Sequence, residues 1–125
     1  MSTPPVVLVI EDNAELRHVL KEALTAEGYE VLTAREAADA LDLLRERRVD
    51  LLISDLTGPP DTDGLDAVRA EFPDLPVVAL SGAGGGHPAF FFSAWDAKGR
   101  YRTLSRPFRL RELLSVSREV LGAAS

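Results

Sequence analysis

Val6-Val7-Leu8-Val9-Ile10-Glu11-Asp12-Asn13 is the stretch that decides the fold. Five apolar, mostly β-branched residues run without a polar break and stop against two acids. A run of this kind is a strand buried on both faces, as in parallel sheets covered by helices. From Asn13 to about Glu27, Leu16, Val19, Leu20, Ala23 and Leu24 form one helical face, with Asp12 or Asn13 as the cap and Gly28 as the stop. Tyr29–Thr33 reads as a second strand, and Ala37, Ala40, Leu41 and Leu44 as a second helical stripe. Val49 and Leu51–Ile53 make a third strand, and Leu65, Val68 and Phe72 a third helix face closed by Pro73. Pro76 introduces the strand Val77–Leu80; a fourth helix runs from Pro88 to about Ala97. Tyr101–Leu104 is a fifth strand, and a last helix carries Leu110, Leu113, Leu114, Ser117 and Leu121.

Five repeats of strand then helix predict an α/β fold with a doubly wound parallel sheet. The first, third and fourth strands are continuously apolar, whereas the second and fifth carry Glu30 and Arg102 and belong at the edges. Order 2-1-3-4-5 satisfies this with right-handed crossovers and puts a switch point between strands 1 and 3, where ligands bind beyond the carboxyl ends. A length of 125 residues is one domain, expected as a single unit over 1–125 with its core at about 6–122.

Composition excludes several classes. There is no cysteine, so no disulfide scaffold, thiolate zinc site or cysteine nucleophile. No apolar run reaches the roughly 20 residues needed to cross a bilayer, and no signal-peptide pattern opens the chain; the expectation is a soluble cytoplasmic protein. The net charge of −6 is unevenly spread: residues 1–75 hold 17 acids and 7 bases, residues 76–125 hold 3 acids and 7 bases. An acidic chain repels nucleic-acid phosphates, so direct nucleic-acid binding is not expected. The glycine-rich Gly82–Gly86 lacks the Gly-Lys-Ser/Thr ending of a nucleotide loop, and Asp55-Leu56-Thr57 lacks the second aspartate of a phosphatase-type DxDxT motif. His18 and His87 have no partner histidines at metal-ligand spacing and read as surface residues.

The chemistry gathers at the strand ends. Glu11-Asp12 follows the first strand and Asp55 follows the third after Ser54, so three carboxylates converge in one crevice. Two unit charges about 5 Å apart at an effective dielectric of about 20 repel by roughly 3 kcal/mol. Such a cluster calls for a cation, and hard oxygen ligands select Mg²⁺ or Mn²⁺. Ser81 ends the fourth strand and Arg106 follows the fifth, adding a hydroxyl and a cation to the same face. The combination suits a phosphoryl group, with Asp55 as the nucleophile that forms an aspartyl phosphate.

Taken together, Val7–Asn13, Asp50–Leu56, Ala79-Leu80-Ser81 and Arg106-Pro107-Phe108 resemble, in order and spacing, the receiver domain of two-component response regulators, stand-alone or excised from a longer protein. The resemblance implies a flavodoxin-like (βα)5 fold and a phospho-accepting switch rather than an enzyme that turns over metabolites. The phosphoryl group would come from a histidine kinase or phosphotransfer protein. Asp12 and Asp55 would ligate Mg²⁺ directly, Glu11 through water, and the backbone carbonyl of Thr57 would be the third protein ligand. Ser81 takes the switch-hydroxyl position. A cis bond between Arg106 and Pro107 would aim the cation into the pocket.

Three departures stand out. Arg106 occupies a position that is almost always Lys in the family, and a forked guanidinium does not replace a compact ammonium neutrally. Thr103 stands where the family usually has its switch aromatic, with Tyr101 on the same strand face, and the loops after Asp55 and Ser81 are longer than usual. Phe90-Phe91-Phe92 and Trp95 cannot all face one core, since helical neighbours are about 100° apart. With Lys98, Arg100, Arg102, Arg109 and Arg111 they place an expected contact surface for an output protein or a second copy on the fourth helix, fifth strand and fifth helix. The alternative from another class is a phosphorylation-independent interaction module in which Arg106 fills the acid pocket.

Overall fold

The computed structural model describes residues 3–56, 65–81, 101–105 and 108–124. The elements are β1 (Val6–Ile10), α1 (Ala14–Ala26), β2 (Glu30–Ala34), α2 (Ala37–Glu46), β3 (Leu51–Leu56), α3 (Leu65–Glu71), β4 (Val77–Ser81), β5 (Tyr101–Ser105) and α4 (Leu110–Ala124). The helix expected over Pro88–Ala97, with its aromatic cluster, lies outside the described residues, as do the loop 57–64 and the Arg106–Pro107 bond. The last helix is therefore α4 here.

Five strands pair in parallel in the order β2-β1-β3-β4-β5. Side chains alternate along each strand, and the two faces build two cores. Val7 and Val9 of β1, Leu51 and Ile53 of β3, and Val78 and Leu80 of β4 pack with Leu20 and Leu24 of α1 and Leu113 and Val120 of α4. Leu8, Ile10, Leu52, Val77 and Ala79 face the other way, onto Ala40 and Leu44 of α2 and Val68 of α3. Both faces of the three central strands are thus covered. This explains why their sequences show no polar alternation, whereas edge strand β2 leaves Glu30 exposed.

Several expectations shift by small amounts. β2 starts and ends one residue later than expected, and β3 runs on through Ser54 and Asp55 to Leu56. Asp55 therefore lies within β3 rather than after it, because β4 pairs alongside it through Asp55↔Leu80 and Leu56↔Ser81. Val19, counted on the apolar face of α1, is 44% exposed; at 100° per residue it sits about 120° around the helix from the Leu20–Leu24 line. Leu110 is also an exposed large hydrophobic, since no preceding turn flanks the first residue of α4, and Val120 supplies the buried contact instead. Gly28 ends α1 as expected, with a φ of 95° that a side chain would resist.

Candidate functional site

The sheet register brings the carboxyl ends of the strands level. Ile10 pairs with Ala34 on one side and Ser54 on the other, Ser54 with Ala79, and Ala79 with Thr103. One residue further along each strand, Glu11 and Asp55 stand at the same level on neighbouring strands, whose backbones run about 4.8 Å apart. Ser81 is the last residue of β4, paired with Leu56 and Ser105, so it belongs to the same edge. The backbone thus brings Glu11, Asp12, Asp55 and Ser81 to one edge at the switch point. The side chains of Asp55 and Ser81, and Thr57 and Arg106 entirely, lie outside the described residues, and so does the side chain of Thr103.

The β1–α1 turn is the part of the edge seen in full. The Glu11 N–H donates to Ala34 O at 3.0 Å, extending the β1–β2 ladder by one residue. Glu11 is buried to 1% exposure although it is a carboxylate. Its Oε2 accepts a long bond from Asn13 N–H at 3.4 Å. Asn13 is the N-cap of α1, its Oδ1 accepting from Leu16 N–H at 2.9 Å. Asp12 is thereby relieved of the capping duty that would otherwise account for it, and it is exposed. From the end of the first helical turn, Arg17 Nη1 reaches back and donates to the Glu11 backbone carbonyl at 2.9 Å.

The donor set fits a hard divalent cation. Glu11 and Asp12 supply carboxylate oxygens beside the sheet edge, one buried and one open to solvent, and burying a carboxylate is costly unless bonds or a cation offset it. Among the described residues no group of three His, Cys, Asp or Glu side chains closes into a metal site. His18 is exposed and pairs with Glu22 within α1 at 3.1 Å, as a surface residue does.

Two further side chains act on the backbone, one at each end of the sheet. Asp50, part of the third-strand motif, stands at the opposite edge of the sheet: its Oδ2 accepts from Val6 N–H at 2.8 Å, and its own N–H donates to Val6 O at 2.8 Å. It is a clamp between the starts of β1 and β3, not a site acid. Arg17 holds the Glu11 carbonyl at the carboxyl edge, and its signal in the sequence is a cation in the first turn of a helix, where it runs against the helix dipole. Clefts of about 610 and 320 Å³ open at the amino edge, lined in part by Arg47, Arg48, Asp50 and Glu71. Their charges are spent on neighbours: Arg47 on Glu30, Arg48 on Asp50 and Glu71 on Arg45.

An open 2-1-3-4-5 sheet with carboxylates beyond its switch point defines the flavodoxin-like class of doubly wound domains. Residues 7–118 match the family model described as the response regulator receiver domain, and the chain belongs to that family. The DNA-binding transcriptional regulator NtrC of Rhizobium meliloti is 33% identical over 118 residues, which cover 91% of this chain and 23% of that protein. The virulence transcriptional regulatory protein PhoP of Salmonella typhimurium is 36% identical over 118 residues, covering 87% of this chain and 48% of that protein. This chain spans about a quarter to a half of the length of these relatives. The crystal structure of the receiver domain of NtrX from Brucella abortus superposes with a TM-score of 0.76 at 28% identity, over 93% of this chain and 98% of that one. Phosphorylation and Mg²⁺ binding are typical of the family. No helix among the described residues is long and apolar enough to cross a membrane.

Proposed function

We propose that this chain is a single receiver unit, core about 6–122, working as a phospho-accepting switch in the cytoplasm. A carboxylate oxygen of Asp55 attacks the phosphorus of a phosphohistidine on a histidine kinase or phosphotransfer protein. The P–O bond forms as the P–N bond breaks, and the imidazole nitrogen keeps the electron pair and takes up a proton. Asp12 and Asp55, with the Thr57 carbonyl and with Glu11 through water, would hold Mg²⁺ or Mn²⁺. Once bound, the cation supplies charge neutralisation for the phosphoryl oxygens. Ser81 donates a hydrogen bond to one phosphoryl oxygen and Arg106 balances another. The product is a covalent signal read by a protein partner, with no metabolite turned over.

The observation that supports this reading best is the register: Glu11-Asp12 and Asp55 fall at one level of adjacent strands, at the switch point of the sheet. The family match over residues 7–118 adds to it. The output surface is the face of β5, α4 and the segment before β5, where an output protein or a second copy would dock. Incubation with a small phosphodonor, with and without Mg²⁺, followed by intact mass tests the function. A gain of one phosphoryl group that depends on Mg²⁺ is expected; no gain under any divalent condition would overturn it.

A further inference from the structure

The β1–α1 turn contains one contact that helix energetics does not explain. Arg17 sits at the fourth position of α1, counted from the Asn13 cap. There its positive charge opposes the positive end of the helix dipole, an unfavourable place for a cation. Side chains on a helix lean towards its N-terminus, so a long residue at this position can reach back over the cap. Arg17 does so, half-buried, and its Nη1 donates to the Glu11 carbonyl at 2.9 Å.

That carbonyl belongs to the peptide unit joining Glu11 to Asp12. A peptide unit is planar, so fixing its oxygen fixes the rotation of the plane from which Asp12 departs. The other side of the turn is held by the Glu11 N–H on Ala34 O and the Leu16 N–H on Asn13 Oδ1. Asp12 itself is exposed. The Asn13 N–H adds a long bond to Glu11 Oε2, and Arg17 is the side chain that holds the tilt of the Glu11–Asp12 peptide itself.

We propose that Arg17 is a positioning residue for the divalent cation: it sets the Glu11–Asp12 peptide so that the Asp12 carboxylate is aimed before the cation arrives. The inference rests on the phosphoacceptor reading and deepens it. It opposes a plain electrostatic expectation. If Arg17 acted only as a nearby positive charge, removing it would tighten cation binding. If it positions Asp12, removing it weakens binding although the local charge has become more favourable.

The test is Mn²⁺ binding to the folded, unphosphorylated protein, read by water-proton relaxation, for wild type, Arg17→Met, Arg17→Gln and Arg17→Lys. Losing a partner that orients a ligand costs about tenfold or more in metal affinity. The Met and Gln variants should therefore bind about tenfold more weakly, and Lys, which keeps a cationic donor group on a long stem, should recover most of the affinity. Amide exchange at Leu16 in the metal-free protein should speed up in the same two variants. Unchanged or tighter binding in Met and Gln would overturn the inference, as would a drop in melting temperature with binding intact. Should Met fail to fold, Gln, which suits a half-buried polar site, carries the same prediction. Wild-type protein that binds no Mn²⁺ would remove the phosphoacceptor reading itself, which separates the two failures.

Discussion

Removing the Asp50 carboxylate should loosen the start of the sheet without disturbing the candidate site at its other end. Asp50 Oδ2 accepts from Val6 N–H at 2.8 Å, across 44 residues of sequence. Hydrogen bonds to a charged group contribute about 1.5–3 kcal/mol. The Asp50 side chain keeps 24% of its exposure, so the lower end applies. Its second contact, to the 84% exposed Arg48, adds about nothing, as exposed pairs generally do. Asp50→Ala should then cost about 1.5 kcal/mol; with an unfolding entropy of about 2.1 cal/mol/K per residue, the melting temperature falls by about 5–6 °C. Asp50→Asn keeps an acceptor oxygen in the same place and should lose less than half of that. Urea unfolding resolves the difference as a shift of midpoint at constant slope. Phosphodonor labelling of both variants, at a temperature where they are folded, should match wild type. An alanine variant as stable as wild type, or an asparagine variant as damaged as the alanine one, would refute the clamp.

Other consequences follow from single residues. Ser117 is fully buried on α4 and its Oγ has no hydrogen-bond partner among the described residues, so Ser117→Ala should stabilise the protein by about 1 kcal/mol, visible in urea; a loss of stability would mean that the hydroxyl is bonded. Arg45 binds Glu71 through Nε and Nη2, both at 2.7 Å, and holds that carboxyl below its ordinary range, with the hydrogen bond as the main cause. Because the folded-state value is depressed, the stabilisation is present above the unfolded value of about 4.3 and is lost as pH falls through the folded one. Glu71→Gln should therefore differ from wild type at neutral pH and converge with it in acid, by melting across pH; a constant difference would deny the linkage. Millimolar Mg²⁺ should raise the melting temperature of wild type and much less that of Asp12→Ala, since binding to the folded state stabilises by mass action; equal shifts would place the cation elsewhere.

Much of the fold was legible because burial on two faces leaves an unbroken apolar run. Val7–Ile10, Leu51–Ile53 and Val77–Leu80 announced the three central strands, and the charged Glu30 and Arg102 marked the edges. The misplacements are local. Val19 and Leu110 are apolar but sit at the margin of a stripe or the tip of a helix, where apolarity alone cannot separate buried from exposed. The reach of β3 through Asp55 depends on its pairing with β4, a long-range fact that no window of residues contains. The placement of Glu11, Asp12 and Asp55 at the carboxyl edge was readable because acids that follow an apolar run fall at the end of its strand. The roles of Asp50 and Arg17 were not, since each acts on a backbone group distant in sequence or hidden in a turn, and a backbone partner leaves no trace in residue type.

The most direct test of the central claim compares wild type with Asp55→Asn, both folded, exposed to the same small phosphodonor with Mg²⁺ and weighed intact. The substitution keeps the shape of the side chain and removes the nucleophilic carboxylate. Wild type is predicted to gain one phosphoryl group and the asparagine variant none; equal labelling of the two would contradict the account.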